Sequence, residues 1–587
     1  MLKEFTIKSE KRLRNLKLSV FGKFVAEKPI LRRWVLLLCA LAIGTQLATA
    51  QISYDLNLQL DFDKRAWAGT ERVRWTNTGG GAEATLYFRL YANAPDAHEP
   101  RLQVTEVKSA TGAALPFVVE ERGAALRVNL REAVPAGGSV EIELVFKGVV
   151  PEIDAEETTL LAHVMQQIGA LINNERETRH ARETNFRARG TMLLGGAFPL
   201  LAARDGNNWL RKSETGVSKT MGADAADFRV TVETVPDVKV FTSGVLVEND
   251  KADREFGVAR YRFTGENLRD FTIVAGRELR VLTENAGALE VRSVFVPQHE
   301  MIARRVLKIA VDAARIFQTR FGPLPLKQIS IIEAPLVAGL GSAEFSGGGA
   351  IASAFYVDFD SPTMRSMPEM IREQRGAVEE SLEWTVARSI AQQWWGVVVG
   401  SDAAREPLLL ESLANWSALL YHADTHGAER AERARQEQLC GVYKIFRTFG
   451  GRDAAANRPA RVFRNNFEYA ALVAGKGALW LNAARKALGD DKFFAALRTF
   501  YEAHKFRVAE LKNLREALTA QATPAQQKQL TRATGRWLNQ RRGDEDIAPP
   551  DPKLADALGL PPPGKGGKGN RFARLGKFFW QQMTRIG

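Results

Sequence analysis

Apolar and polar residues alternate through much of the first half of the chain. "YDLNLQLDFD" (54–63) and "TERVRWTNTG" (70–79) set the pattern, and "FRVTVETV" (228–235), "VKVFTSGVLVE" (238–248) and "ARYRFTGEN" (259–267) repeat it between turn residues. A period of two predicts strands with one buried face, so residues 51–292 read as a β-rich domain. One segment breaks the habit. "TTLLAHVMQQIGALINNERETRHARETNF" (158–186) is charged and helically spaced, which predicts a helical insertion over about 152–190. After Pro297 the period changes for good: Ile302, Val306, Ile309, Ala313 and Ile316 share one helical face, "QISIIEAP" reads as a short buried strand, and helical patterns continue to about Gln540. Residues 293–545 form the second predicted domain. A Pro/Gly-rich linker (546–570) and a basic amphipathic tail (571–587) follow, the tail carrying Phe572, Leu575, Phe579, Met583 and Ile586 as a stripe.

Charge changes this picture little once it is located. Of the net +13, residues 1–50 carry +7 (ten basic against three acidic) and residues 550–587 carry +5 (seven against two), leaving +1 for everything between. A body so nearly neutral, without a basic patch interleaved with aromatics, excludes a nucleic-acid partner. The N-terminal charge belongs to an export signal: a long basic region ends in "LRR", "WVLLLCALAIG" is too short to span a membrane, and Ala48-Thr49-Ala50 supplies a cleavage site. The mature chain is therefore expected to begin near Gln51 outside the cytoplasm, periplasmic or extracellular, with the tail at 571–587 as a candidate membrane-surface contact. Cys440 alone would remain, which leaves no disulfide and no cysteine metal site in the mature chain.

Candidate chemistry concentrates between 341 and 478. In order along the chain stand "GLGSAEFSG" (339–347), "ARSIAQQWWG" (387–396), "LLLESLANW" (408–416) and "FEYAALVAGKGALW" (467–480). These resemble the "GGMEYPG", "HQWWG", "NEGFA" and "YEKGA" segments of the M1 (gluzincin) metallo-aminopeptidases. Glu411 lies nineteen residues after Gln392, as that family's third zinc ligand lies after its second histidine. The resemblance covers roughly residues 51–510. It implies an α+β multidomain fold, a saddle-like β-rich domain followed by a thermolysin-like, mostly helical domain. It also implies that Glu344 sits where the family holds a substrate's free amino group, with Gly341, Ser342, Ala343, Phe345 and Tyr469 as further peptide contacts.

The departures from that family matter more than the matches. On this alignment the first histidine is Arg388, the general base Ser389, the second histidine Gln392 and the oxyanion tyrosine Ala474, while Glu411 is retained. A guanidinium is permanently protonated, and a catalytic zinc needs three protein donors. The expectation is therefore a pseudo-enzyme with no catalytic residue and no cofactor, binding peptides or protein N-termini or serving as a scaffold. Arg388 is expected to stand in for the metal by forking onto Glu411; the alternative leaves Arg388 in solvent. A competing reading keeps an active metallopeptidase with zinc on a ligand set not evident from the sequence. His422 and His426 are spaced i, i+4, but Asp424 and Gly427 mark a helix end, where such a pair is ordinarily solvated rather than metal-binding. Trp394 and Trp395 read as packing residues, Gly396 as a helix stop, and the glycines of "EFSGGGA" as flexible chain. No "GxSxG" supports a serine hydrolase.

Overall fold

The computed structural model describes residues 51–93, 101–172, 176–177, 183–211, 223–253, 257–366, 369–372 and 375–557. The expected export signal, most of the expected linker and the basic tail lie outside the described residues. Among those described, no helix is long and apolar enough to cross a membrane.

Alternation produces strands as expected. β1 (Ile52–Asp61) and β2 (Ala66–Thr76) pair antiparallel and bury every second residue. They form the middle of a seven-stranded sheet whose order is Val245–Asp253, Val258–Leu268, Ala226–Thr234, β1, β2, Ser139–Val149 and Leu102–Ser109. Two smaller four-stranded sheets and a two-stranded ribbon, Arg204–Asp205 with Asn208–Trp209, complete the N-terminal part among the described residues. Its core includes Leu56, Trp67, Phe88, Leu144 and Phe228. The expected helical insertion is shorter than its sequence suggests: α1 spans Leu160–Ile172, and Asn185–Ala188 is a strand buried against Thr191–Leu194.

The change of period marks a new layer. β3 (Arg280–Ala286) and β4 (Leu289–Phe295) form a hairpin, and β4 pairs parallel with the strand after the next helix. A boundary at 292/293 would therefore cut through β4, and the hairpin belongs to the second domain's sheet. α2 (Glu300–Phe321) buries Ile302, Val306, Ile309 and Ala313 on one face and ends at Gly322. The fully buried β5 (Gln328–Ala334) follows, then β6 (Ser342–Phe345) and β7 (Gly348–Ala352), giving the sheet order β3-β4-β5-β7-β6 with β6 at an edge.

The turn between β6 and β7 corrects one expectation. Gly347 and Gly348 have φ of 75° and 158°, and a Cβ on Gly348 would lie 2.0 Å from the Ser330 carbonyl oxygen. Close packing and left-handed backbone, not flexibility, require glycine there.

Two helices carry the candidate chemistry. In α3 (Arg375–Trp394) Val378, Leu382, Val386, Ile390 and Trp394 recur every fourth residue and are buried, with no glycine or proline after Gly376 to interrupt it. It stops at Gly396, whose φ is 126°. α4 (Pro407–His426) starts with proline in its first turn, is buried from Pro407 to His422, and ends at Gly427 with φ 85°. Trp394 and Trp395 are packing residues: their indole N–H groups donate to the Gly322 carbonyl and the Ser417 hydroxyl. A buried guanidinium ties the two parts together, because Arg269 donates to the backbone carbonyls of Ala223, Val397 and Arg507. Burial pulls Arg269 down to about 10, against the pull of Asp224 and Asp270.

Candidate functional site

Edge strand β6 faces the middle of α3, and α4 packs beside it, so residues far apart in sequence converge. Glu344 lies opposite Gly349 in the β6/β7 register. An added Cβ at Gly349 would sit 3.6 Å from both Glu344 Cγ and Ser389 Cβ, which shows how closely the helix rides on the sheet. Arg388 spans the gap. Its Nη1 donates to Glu344 Oε1 at 2.8 Å and its Nη2 to Glu411 Oε2 at 3.3 Å. The expected fork onto Glu411 is thus replaced by a bridge, one carboxylate on each arm.

The three charged side chains are 20% (Arg388), 8% (Glu344) and 12% (Glu411) exposed, which excludes a solvated Arg388. Burial alone would lower the guanidinium's pKa, but Glu344 and then Glu411 outweigh it and hold it above its ordinary range. Neutral donors complete the shell. Ser342 and Ser389 hydroxyls donate to Glu344 Oε1 at 2.7 and 3.0 Å, and the Asn415 amide donates to Glu411 Oε2 at 3.2 Å.

The remaining expected residues fall into place around this centre. Gln392 is buried one turn beyond Arg388, and the neighbouring Gln393 braces the β6/β7 turn by donating to the Phe345 and Gly348 carbonyls and accepting from Gly347 N–H. Gly341 and Ala343 are half-buried beside Ser342, whereas Phe345 points into a core cluster with Ile332 and Ala350. Tyr469 is buried and near enough to act electrostatically on Arg388; Ala474 is half-buried in the π-helical turn Ala470–Gly475 that follows.

A second cluster lies on the same helix pair. Glu383 of α3 and His422 and His426 of α4 place three possible donor atoms within 4.8 Å of one another. His426 Nε2 is 2.7 Å from Glu383 Oε1, which also accepts from Tyr421 Oη at 2.9 Å. The solvated pair expected at a helix end is not what forms: His422 is 2% exposed and stacks on Trp384. Burial pushes its pKa down to about 4, with Glu383 opposing. Sequence reasoning found the two histidines but missed Glu383, whose only signal is its place on the helix that α4 packs against.

Solved structures of a zinc metallopeptidase share this architecture. The M1 zinc metallopeptidase of Deinococcus radiodurans matches at 16% identity over 89% of this chain and 96% of that one, with a TM-score of 0.54. A glutamate-to-alanine variant of the same enzyme, bound to a Tyr-Ser-Ala substrate, matches at 17% over 84% and 94%, also at 0.54. No protein-family model and no curated protein sequence matches the chain. The chain therefore has the two-domain M1 metallopeptidase fold, a β-rich domain followed by a helical one.

Proposed function

We propose that this chain is a non-catalytic, exported protein of the M1 fold, in which the Arg388 guanidinium takes the place of the family's zinc. The observation that carries the reading is the bridge from Arg388 to Glu344 and Glu411. A zinc ion does not fit these residues. Arginine offers no lone pair, the Ser389 position lacks a carboxylate to accept a proton from water, and Glu411 would be the single remaining ligand of the family's three. No hydrolytic step is derived at this centre.

Glu344 already accepts from Arg388, Ser342 and Ser389, so a peptide's amino group would have to displace a bound cation. Pairing of an extended segment along the side of edge strand β6 that pairs with no strand among the described residues needs no such displacement, and that mode favours a peptide-docking or scaffold role.

The competing reading, a hydrolase with zinc elsewhere, has Glu383, His422 and His426 in its favour. Against it, Ala423 follows His422 where a zinc-helix motif carries its glutamate base. Mature protein supplied with zinc and a panel of aminoacyl-amide substrates should show no turnover above an Arg388→Ala, Glu411→Ala control. Chelator-sensitive cleavage at an enzymatic rate would overturn the proposal.

A further inference from the structure

The Arg388 centre leaves unexplained why a buried histidine on the same helix pair has neither ring nitrogen engaged. Among the described residues, His422 Nδ1 and Nε2 find no hydrogen-bond partner although the residue is 2% exposed. A buried imidazole ordinarily has at least one partner, and leaving both nitrogens unmatched costs stability.

We propose that Glu383, His422 and His426 form a divalent transition-metal site, of zinc type and structural in role, that cross-links α3 to α4. Two histidines one helical turn apart and a carboxylate from a neighbouring helix are the donor set and spacing that zinc takes. Two imidazoles with one carboxylate suit zinc better than calcium or magnesium, which require mostly oxygen.

The distances permit it with side-chain movement alone. Donors sharing a tetrahedral zinc lie about 3.4 Å apart. The His426–Glu383 contact of 2.7 Å must open slightly, and the widest separation, no more than 4.8 Å, must close. His426 is 36% exposed at its side chain, which provides an entry route.

The electrostatic surroundings are compatible with a cation. Arg430, a guanidinium that acts on His422, is paired with Glu380 at 2.7 Å, so its charge is matched locally. His422 also lines a cavity of about 10 Å³ with Glu380, Arg430, Arg433 and Glu437, room for one water molecule beside the imidazole.

The site is separate from the Arg388 centre. His422 lies eleven residues beyond Glu411 on α4, roughly 16 Å along the helix at 1.5 Å per residue. Ala423 supplies no base, so the metal holds helices together rather than activating water.

Full mature protein, freed of any affinity tag and dialysed against chelator, should be titrated with zinc by calorimetry and with cobalt(II) by visible absorption. The expected result is one equivalent bound, cobalt bands of four-coordinate intensity, and a rise in melting temperature. Affinity should fall by at least the roughly 10–100-fold typical of losing a supporting partner in His426→Gln, whose partly exposed position makes it tolerant, and in Glu383→Gln. It should be unchanged in Glu411→Gln. No stoichiometric binding, or binding indifferent to His426→Gln, overturns the inference. Binding lost in Glu411→Gln but kept in His426→Gln overturns it too, and places metal at the Arg388 centre, against the proposed function.

Discussion

The two ends of the α3/α4 pair face the same difficulty, buried carboxylate charge, and meet it differently. At one end Glu344 and Glu411 share the permanently charged Arg388. At the other, Glu383 has Tyr421 and two imidazoles, and among the described residues no arginine or lysine pairs with it. A covalently attached cation already bridges the two carboxylates. A carboxylate beside two imidazoles keeps the capacity to take a metal. The contrast separates the fold's architecture from its chemistry, because one helix pair serves both arrangements.

The most drastic way to break the comparison is to convert the arginine end into a metal end. Arg388→His, Ser389→Glu and Gln392→His, made in a His426→Gln background, should give a ligand cage with the existing Glu411. Zinc uptake at micromolar Kd is expected, about 8 kcal/mol of binding free energy. Activity should lag behind metal binding, since Ala474 leaves the oxyanion without a partner. A variant that folds normally yet takes up no zinc by calorimetry would show that α3 and α4 do not occupy the family's ligand positions.

Removing the attached cation is the next largest change. Arg388→Ala strands two carboxylates that are 8% and 12% exposed, and breaking such a buried pair costs on the order of 3–5 kcal/mol. Arg388→Lys should recover only part of this, because one ammonium cannot reach both carboxylates in the guanidinium's planar geometry. In a denaturation cycle with Glu411→Ala the double variant should be milder than the sum of the singles. Additivity within about 0.5 kcal/mol would mean no coupling.

Another buried carboxylate has neither solution. Glu71 sits in β2 opposite Leu56 and Leu144, fully buried, and neither oxygen has a hydrogen-bond partner among the described residues. Burial raises its pKa well above the ordinary value, so the folded state holds a proton that the unfolded chain releases. Stability from this group is complete below the unfolded carboxyl pKa and is lost as pH rises through the folded value. Glu71→Leu should therefore stabilise the protein at pH 8 by about 3 kcal/mol, the upper range for an unsatisfied buried group, and by less at pH 5. Equal gains at both pH values would indicate that Glu71 releases its proton in the folded state as readily as in the unfolded chain, so that burial does not raise its pKa.

Much of this was legible along the chain, and the failures share a cause. Period-two and period-four patterns located the sheets and α2, and the separation of Gln392 from Glu411 brought α3 and α4 together. Contacts between non-adjacent elements were hidden. Glu344 meets Arg388 because β6 is an edge strand beneath α3, which no local pattern records. His422 looks solvated at a helix end, but Trp384 of the neighbouring helix covers it. Gly348 was read as loose chain because the Ser330 carbonyl that excludes any side chain lies on another strand.

The finest comparison uses one matched deletion at each end. Ser389→Ala removes a 3.0 Å hydrogen bond to Glu344, but that oxygen keeps Arg388 at 2.8 Å and Ser342 at 2.7 Å. Tyr421→Phe removes a 2.9 Å bond to Glu383, whose Oε1 then keeps, among the described residues, only the partly exposed His426. A hydrogen bond to a charged group contributes about 1.5–3 kcal/mol when little else satisfies it, and a redundant one about 0.5–1. In metal-free protein Tyr421→Phe should thus cost about 2 kcal/mol and Ser389→Ala less than half of that, read from denaturant midpoints at unchanged m-value. Adding zinc should narrow the gap, because a metal on Glu383 replaces what the phenol supplied. A larger loss at Ser389 than at Tyr421 would mean that Arg388 does not satisfy Glu344 in solution, and that the arginine end is the less settled of the two.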